Sequence, residues 1–348
     1  MNIRLRKFCF LFLLIPIHLF AQKSLSKNTV VSDTVTIEKI SKRVQSPLLV
    51  DIQKTIDSLE QTDTKQLRAP RLYYRLAVMF ARAKMYPLAL KCFYRSSKKM
   101  RANTVDASDS TDAPFANSFK TGENIVQTLQ GEAIAVLGDT ILVNKLFVKG
   151  ASKPIKNEDI VQPFNDEKAA MAYGIIVHVK QPSPGKRSKF KLFHGGVGHT
   201  FITLIKFNVD GSNVARTFGF YPKKDMLLSA TPLFPSTSSD FKNDALHDWD
   251  ESIGKFIDEK QFHLILNLTR QYAKKKYHLS RNNCTDFGLN IAAVAGIYIN
   301  HTKGKWPLGS GNDPGDTGQS ILENNIATNG DSLLIYNSDI SVKEKEEK

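Results

Sequence analysis

The chain has 348 residues, 41% of them hydrophobic and 24% charged, with 20 glycines and 14 prolines. This composition excludes a collagen-like, a wholly disordered and a disulfide-dense protein, and it leaves ample material for a core. Lys and Arg outnumber Asp and Glu by 48 to 34, a formal net charge of +14, which admits a nucleic-acid or membrane-surface role until the charges are located.

Residues 1–21 read as a secretory signal peptide. Arg4, Arg6 and Lys7 precede the apolar run from Phe8 to Phe20, and Ala21 is a small residue before the expected cut. The run is short for a membrane span. The mature chain is therefore expected to be exported, to a periplasm, cell envelope or medium, and to carry no transmembrane segment. Removing the segment lowers the charge from +14 to +11 and leaves two of the three cysteines, Cys92 and Cys284. Export permits disulfides, but two cysteines 192 positions apart make no disulfide framework.

Residues 22–45 are polar and read as a mobile leader. Ser46-Pro47 then has the look of an N-cap with proline at the first helical position. Leu49, Ile52, Ile56 and Leu59 follow at helical spacing. A second helix is predicted from about Pro70 to Lys84, with Tyr73, Leu76, Ala77 and Phe80 on one face. A third starts near Tyr86-Pro87 with Ala89, Cys92, Phe93 and Ser96 on its face, where Cys92 is a small buried hydrophobe. The pair from Leu72 to Ser97 resembles one tetratricopeptide-type hairpin, through Tyr74, Ala77 and the Ala89/Phe93 spacing. A single unit of that kind cannot be told from an ordinary helical hairpin.

Residues 51–101 carry 12 Lys/Arg against 4 Asp/Glu, most of the mature excess. Arg71, Arg75, Arg82, Lys91, Arg95, Lys98 and Lys99 are expected to coat the outside of this 46–101 segment. They form either a solvated face or a docking surface for an anionic envelope polymer or an acidic protein. Residues 102–124 are small and polar and read as a linker. In the connecting segment 125–165, 133–137 and 140–143 flank Gly138-Asp139 as a possible β-hairpin, with a helix the alternative for its first half.

A third region, 166–325, has the texture of strands and glycine-rich turns. Tyr173–Val179, His199–Phe207 and Val214–Tyr221 are predicted strands, the last two joined by an Asp210-Gly211 turn. Asp258 with Gln261 is a capping box, followed by a helix through Phe262, Ile265, Leu266, Thr269 and Tyr272. A further helix runs from Cys284 to a stop at Gly296. Trp306–Gln319 reads as loop, and 326–348 as a C-terminal tail.

Two motifs carry chemistry. Gly195-Gly196-Val197-Gly198-His199-Thr200-Phe201 is a glycine-rich approach to a strand that opens with histidine. Tyr277-His278-Leu279-Ser280-Arg281-Asn282-Asn283-Cys284-Thr285-Asp286-Phe287 puts a cysteine in the first turn of a helix. A helix N-terminus favours a thiolate through its free N–H groups and its dipole. An imidazole nearby takes the thiol proton and returns it to a leaving group. The Cys284 amide is a natural oxyanion donor.

These residues, with Gly219-Phe220-Tyr221-Pro222, resemble the circularly permuted branch of the NlpC-type papain-like superfamily. In that branch, as in lecithin retinol acyltransferase-like proteins, the His strand precedes the Cys helix. The resemblance covers residues 170–320. It implies an α+β fold: a papain-like antiparallel sheet packed against the Cys helix, preceded here by a small all-α segment. It also implies Cys284 as nucleophile and His199 as base. The third, orienting group should lie on the strand after His199, where Tyr221 is favoured over Thr217. Tyr277, Asn283 and Gly198 are candidate oxyanion or substrate residues, and His194 is an alternative base. Asp286 is expected to stabilise the helix end rather than react. His247, Asp248, Asp250 and Glu251 match no metal-ligand spacing and read as solvated acids in a strand or turn. No phosphate loop, dinucleotide fingerprint or zinc spacing is present, so no metal, cofactor or nucleic acid is expected.

Three functions follow as expectations. The first is an exported thiol hydrolase cleaving an amide in a peptide or peptidoglycan stem. The second is an acyltransferase on the same Cys284/His199 pair. The third is a non-catalytic envelope-binding protein working through the basic helices.

Overall fold

In the computed structural model, the described residues are 47–60, 68–102, 150–187, 197–223, 225–226, 228–329 and 334–337. The signal peptide, the leader, the 102–124 linker beyond Ala102, the 133–143 hairpin, His194 and the charged end of the tail lie outside them. Among the described residues, no helix is long and apolar enough to cross a membrane.

Three helices come first: α1 (Pro47–Glu60), α2 (Arg68–Arg82) and α3 (Tyr86–Ala102). Each buries the apolar stripe that its spacing demands, Ile52/Ile56/Leu59, Tyr73/Leu76/Ala77/Phe80 and Ala89/Cys92/Phe93. The turn between α2 and α3 closes as a Schellman motif. Lys84 sits at φ 59°, Met85 N–H donates to Phe80 C=O at 2.8 Å, and Lys84 N–H donates to Ala81 C=O at 2.9 Å.

The remaining chain contributes β1 (Lys153–Ile155), α4 (Asn157–Val161), β2 (Ala170–Lys180), β3 (His199–Asn208), β4 (Asn213–Pro222), β5 (Ser236–Thr237), β6 (Ser239–Asn243) and β7 (Glu251–Ile257). It continues through α5 (Glu259–Tyr272), β8 (Tyr277–His278), α6 (Cys284–Val294), β9 (Ile297–Ile299), β10 (Lys303–Trp306), β11 (Gly309–Asn312), α7 (Pro314–Leu322), β12 (Ile326–Thr328) and β13 (Leu334–Asn337). The main sheet has the order β1-β6-β4-β3-β2-β7-β13, and every neighbouring pair is antiparallel. The fold class is α+β.

Both faces of the sheet are covered, which explains why β2 and β3 read as near-continuous apolar runs rather than alternating ones. One face presents Ala172, Ile176, Phe201, Ile205 and Phe207 to the cluster formed by α1, α2 and α3. The other presents Tyr173, Ile175, Val177, Ile202 and Leu204 to α4, α5, α6 and α7. Opposite partners of successive residues follow from the two-residue period of a strand.

The structure corrects five expectations. The 46–101 helices are one layer of the same body as the sheet, since residues 46–348 form one compact unit. Their cations do not all face outward: Arg71 and Arg75 are exposed, but Lys91 is buried and Arg82 and Arg95 are half-buried. Lys84 donates to Leu246 C=O at 2.7 Å. The stretch read as loop, Trp306–Gln319, contains the last residue of β10, all of β11 and most of α7. The tail supplies β12, paired with β9, and β13, which adds an edge strand to β7. The acids near His247 are not solvated. Asp250 and Glu251 are buried, and Asp250 accepts from Lys180 Nζ at 2.6 Å and from the Gln181 amide at 2.7 Å.

Candidate active site

Cys284 opens α6, and the local sequence dictates that start. Asn283 is the N-cap: its Oδ1 accepts from the Thr285 and Asp286 amides at 2.8 and 3.0 Å. Asp286 closes the capping box by accepting from the Asn283 amide at 2.9 Å, the helix-end role expected of it. The Asn283 Nδ2 donates to the carbonyls of Leu279 and Asn312, at 2.7 and 2.8 Å. With both ends committed to the backbone, Asn283 has nothing left for substrate. Its assignment as a substrate or oxyanion residue is corrected to that of a cap.

α6 lies close against β3. A Cβ on Gly288 would fall 2.5 Å from Thr200 Cγ2, and the Thr200 and Thr285 hydroxyls pair at 3.1 Å. Glycine at 288 therefore permits the approach that brings the Cys284 end of α6 to the first residue of β3, which is His199. Gly198 makes that strand begin where it does. Its φ is +75°, and a Cβ there would meet Lys180 O at 2.6 Å, with Pro182 and Pro314 close behind. Gly198 faces protein atoms rather than open space, so the structure makes it a backbone device and not a substrate contact.

His199 is buried, and the Cys284 thiol lies close enough that each group shifts the other's protonation. Its Nε2 lies 3.1 Å from Asp244 Oδ2, which leaves Nδ1 to serve the sulfur. Asp244 is completely buried. It is held by its own backbone, whose amide donates to Thr217 C=O at 3.0 Å and whose carbonyl accepts from the His247 amide at 2.8 Å. The ring and the carboxylate cross directly over Gly219, where a Cβ would fall 2.3 Å from His199 Nε2 and 2.4 Å from Asp244 Oδ2.

Asp244 thus occupies the orienting position expected of Tyr221. Tyr221 is close, with ring centroids 4.1 Å from those of His199. However, its hydroxyl donates to Asp244 Oδ1 at 2.7 Å and meets Ser152 Oγ at 3.1 Å. It steadies the carboxylate and walls the imidazole; it does not bond the ring. Asp244 was missed because it lies in the turn after β6 rather than on β4. The signal available was the Asn243-Asp244-Ala245 turn, just upstream of the His247 cluster. His247 itself flanks the ring at 5.3 Å between centroids, with Nδ1 donating to the Asp248 carbonyl at 2.7 Å.

The electrostatics follow from these contacts. Burial alone pushes an imidazole down, but the hydrogen bonds to Asp244 and Cys284 and their charges more than offset it, raising His199 to about 9. For Cys284, burial opposes ionisation. His199, the Thr200 amide and the Thr285 hydroxyl outweigh it and lower the thiol below its ordinary value. Each group thus favours the charged form of the other.

Tyr277, on β8, is buried and touches Cys284 by hydrogen bonds to both amide and thiol; burial first, and then the neighbouring sulfur, keep it a protonated phenol. Tyr277 thus sits at the Cys284 amide, where the sequence places a candidate oxyanion residue. Gathered in one place are therefore Cys284, His199 and Tyr277 from the sequence, with Asp244 added by the structure. Among the described residues, no group of three or more His, Cys, Asp or Glu side chains is arranged to hold a metal ion.

Thiol, imidazole and buried carboxylate together form a Cys–His–Asp constellation on an α+β scaffold. No protein-family model, curated protein or solved structure matches this chain.

Proposed function

We propose that this chain is an exported cysteine hydrolase that cleaves an amide bond, in a peptide or a peptidoglycan stem, through an acyl-enzyme on Cys284. One observation carries the reading: a helix-start thiol is engaged by an imidazole whose far nitrogen is held by a fully buried carboxylate. The order of the parts supports the resemblance to the permuted NlpC-type papain-like superfamily, since the His strand precedes the Cys helix and the sheet is antiparallel. Export rests on residues 1–21.

The Cys284 thiolate attacks the carbonyl carbon, and the carbonyl electron pair moves to oxygen. The Cys284 amide and the Tyr277 hydroxyl, paired in the resting site, turn to donate to that oxyanion as it forms. The His199 imidazolium gives its proton to the departing amine as the C–N bond breaks. Water then gives its proton to His199 and attacks the thioester, releasing acid and regenerating the thiol. Asp244 holds the ring and its charge through both halves. The binding reading through the basic helices keeps Arg71 and Arg75, which are exposed, but not Lys91, whose ammonium lies over the Phe207 ring of the sheet.

A thiol-directed activity probe tests the proposal. It should label the parent at Cys284, not label Cys284→Ala, and label His199→Ala far more slowly. Equal labelling of parent and variants refutes it. If mass spectrometry finds the acyl group on an added amine or alcohol in preference to water, the reaction is acyl transfer.

A further inference from the structure

Loops that converge on the Cys284 end of α6 hold large apolar side chains in solvent. The segment between β4 and β5 exposes Met226 (63%), Leu233 (65%) and Phe234 (50%), and the turn between β10 and β11 exposes Leu308 (78%). The first segment has a fixed frame. Ser229 and Phe234 form a β-bridge, Met226 N–H donates to Ser229 Oγ at 3.1 Å, and Lys223 N–H donates to Ser238 C=O at 2.8 Å.

Direct contacts join these loops into one rim. β5 pairs with β8, which carries Tyr277, and the Leu279 amide donates to Pro235 C=O at 2.8 Å. Gly309 and Gly311 rest against Ser280, where a Cβ on Gly311 would fall 2.7 Å from the Ser280 carbonyl oxygen. A rim of exposed apolar residues beside a site marks an interaction surface.

The rim is also basic. Lys223, Lys275, Lys276, Arg281 and Lys305 are exposed on the same segments. Ser239 Oγ donates to the Lys275 carbonyl at 2.5 Å and Asn282 Nδ2 to the Lys276 carbonyl at 2.7 Å, which ties the lysine run to the rim. The exposed acid there, Asp225, accepts from Ser238 at 2.5 Å. Cations interleaved with apolar loop tips match a bilayer whose headgroups are anionic and whose acyl boundary accepts apolar groups. A soluble polyanion would use the lysines and leave Leu233, Phe234 and Leu308 without a role.

We propose that this rim docks the protein on an anionic lipid bilayer. Met226, Leu233, Phe234 and Leu308 enter the headgroup region and the lysines meet lipid phosphates. The site is thereby held at the membrane surface, and docking does not require the thiol to react.

The test places a reporter on the rim. The full chain carrying Phe234→Trp is mixed with vesicles of brominated phosphatidylcholine, with and without phosphatidylglycerol, and the parent gives the background from Trp249 and Trp306. The added indole should be quenched on the anionic vesicles and retain that quenching in Cys284→Ala. Adding Lys275→Glu and Lys276→Glu should weaken the apparent affinity on the order of tenfold or more. Leu308→Trp, a second reporter on a separate loop, should behave alike. Absence of quenching at both positions overturns the proposal, as does equal quenching on neutral vesicles. Binding to peptidoglycan sacculi without vesicle quenching, or self-association abolished by Leu233→Glu, assigns the rim to another occupant and also overturns it.

Discussion

Asp244→Asn isolates the charge behind the imidazole. The substitution keeps the shape of a side chain that is fully buried and removes the anion 3.1 Å from His199 Nε2. The rise of His199 from 6.5 to about 9 corresponds to about 3 kcal/mol of preference for the imidazolium. That preference exists only because hydrogen bonds and charges from Asp244 and Cys284 exceed the burial cost. Without the Asp244 charge, burial dominates, His199 falls back to its ordinary range or below, and Cys284 loses the cation that lowers its own value. The balance of the pair shifts away from thiolate–imidazolium toward thiol–imidazole, and turnover should drop about 10²–10⁴-fold. The assay is the rate of iodoacetamide alkylation from pH 5 to 10, followed at the Cys284 peptide by mass spectrometry. In the parent the rate should already be high near neutrality. In Asp244→Asn it should climb through the alkaline range, as for an unassisted thiol. Superimposable pH profiles, with circular dichroism showing both proteins folded, would falsify the assignment of Asp244.

Three further predictions concern the parts around the thiol. Tyr277→Phe removes a hydroxyl at the Cys284 amide and thiol and should lower turnover of an activated ester about 10²–10³-fold; an unchanged turnover number removes Tyr277 from the oxyanion site. Gly219→Ala forces a methyl into the crossing of His199 and Asp244. It should cost at least about 10²-fold in activity at near-parental secondary structure, and full activity would mean that the pair does not cross there. Asn283→Ala strips the α6 cap and leaves the Leu279 and Asn312 carbonyls without their donor. Urea unfolding should show a loss of about 2 kcal/mol, and a midpoint equal to the parent's contradicts the capping role.

Local patterns carried a good part of the structure. The three β strands between Tyr173 and Tyr221, the Asp258–Gln261 capping box and the Cys284 start of α6 all depend on neighbours within a few residues, and all are where the sequence places them. The His199–Cys284 pair was legible for the same reason: each residue sits at the first position of an element whose start is locally encoded, by Gly198 and by Asn283. Asp244 was not. It lies 45 positions from His199 in a turn, and only the antiparallel register of β3, β4 and β6 carries it to the ring. Gly198 was legible as a special position but not as to purpose, because whether a glycine faces substrate or backbone depends on what packs beside it.

The sequence by itself therefore determined an α+β chain with a helix-start thiol and a strand-start imidazole, since capping chemistry, turn residues and apolar period act over short range. Only the tertiary structure decided that α1, α2 and α3 cover one face of the sheet, that β13 is an edge strand beside β7, and that the third member of the site is a carboxylate. Each of these depends on the burial of groups far apart in the chain. A cation or carboxylate that reads as solvated in the sequence becomes a buried partner once a sheet and its two helical layers close around it.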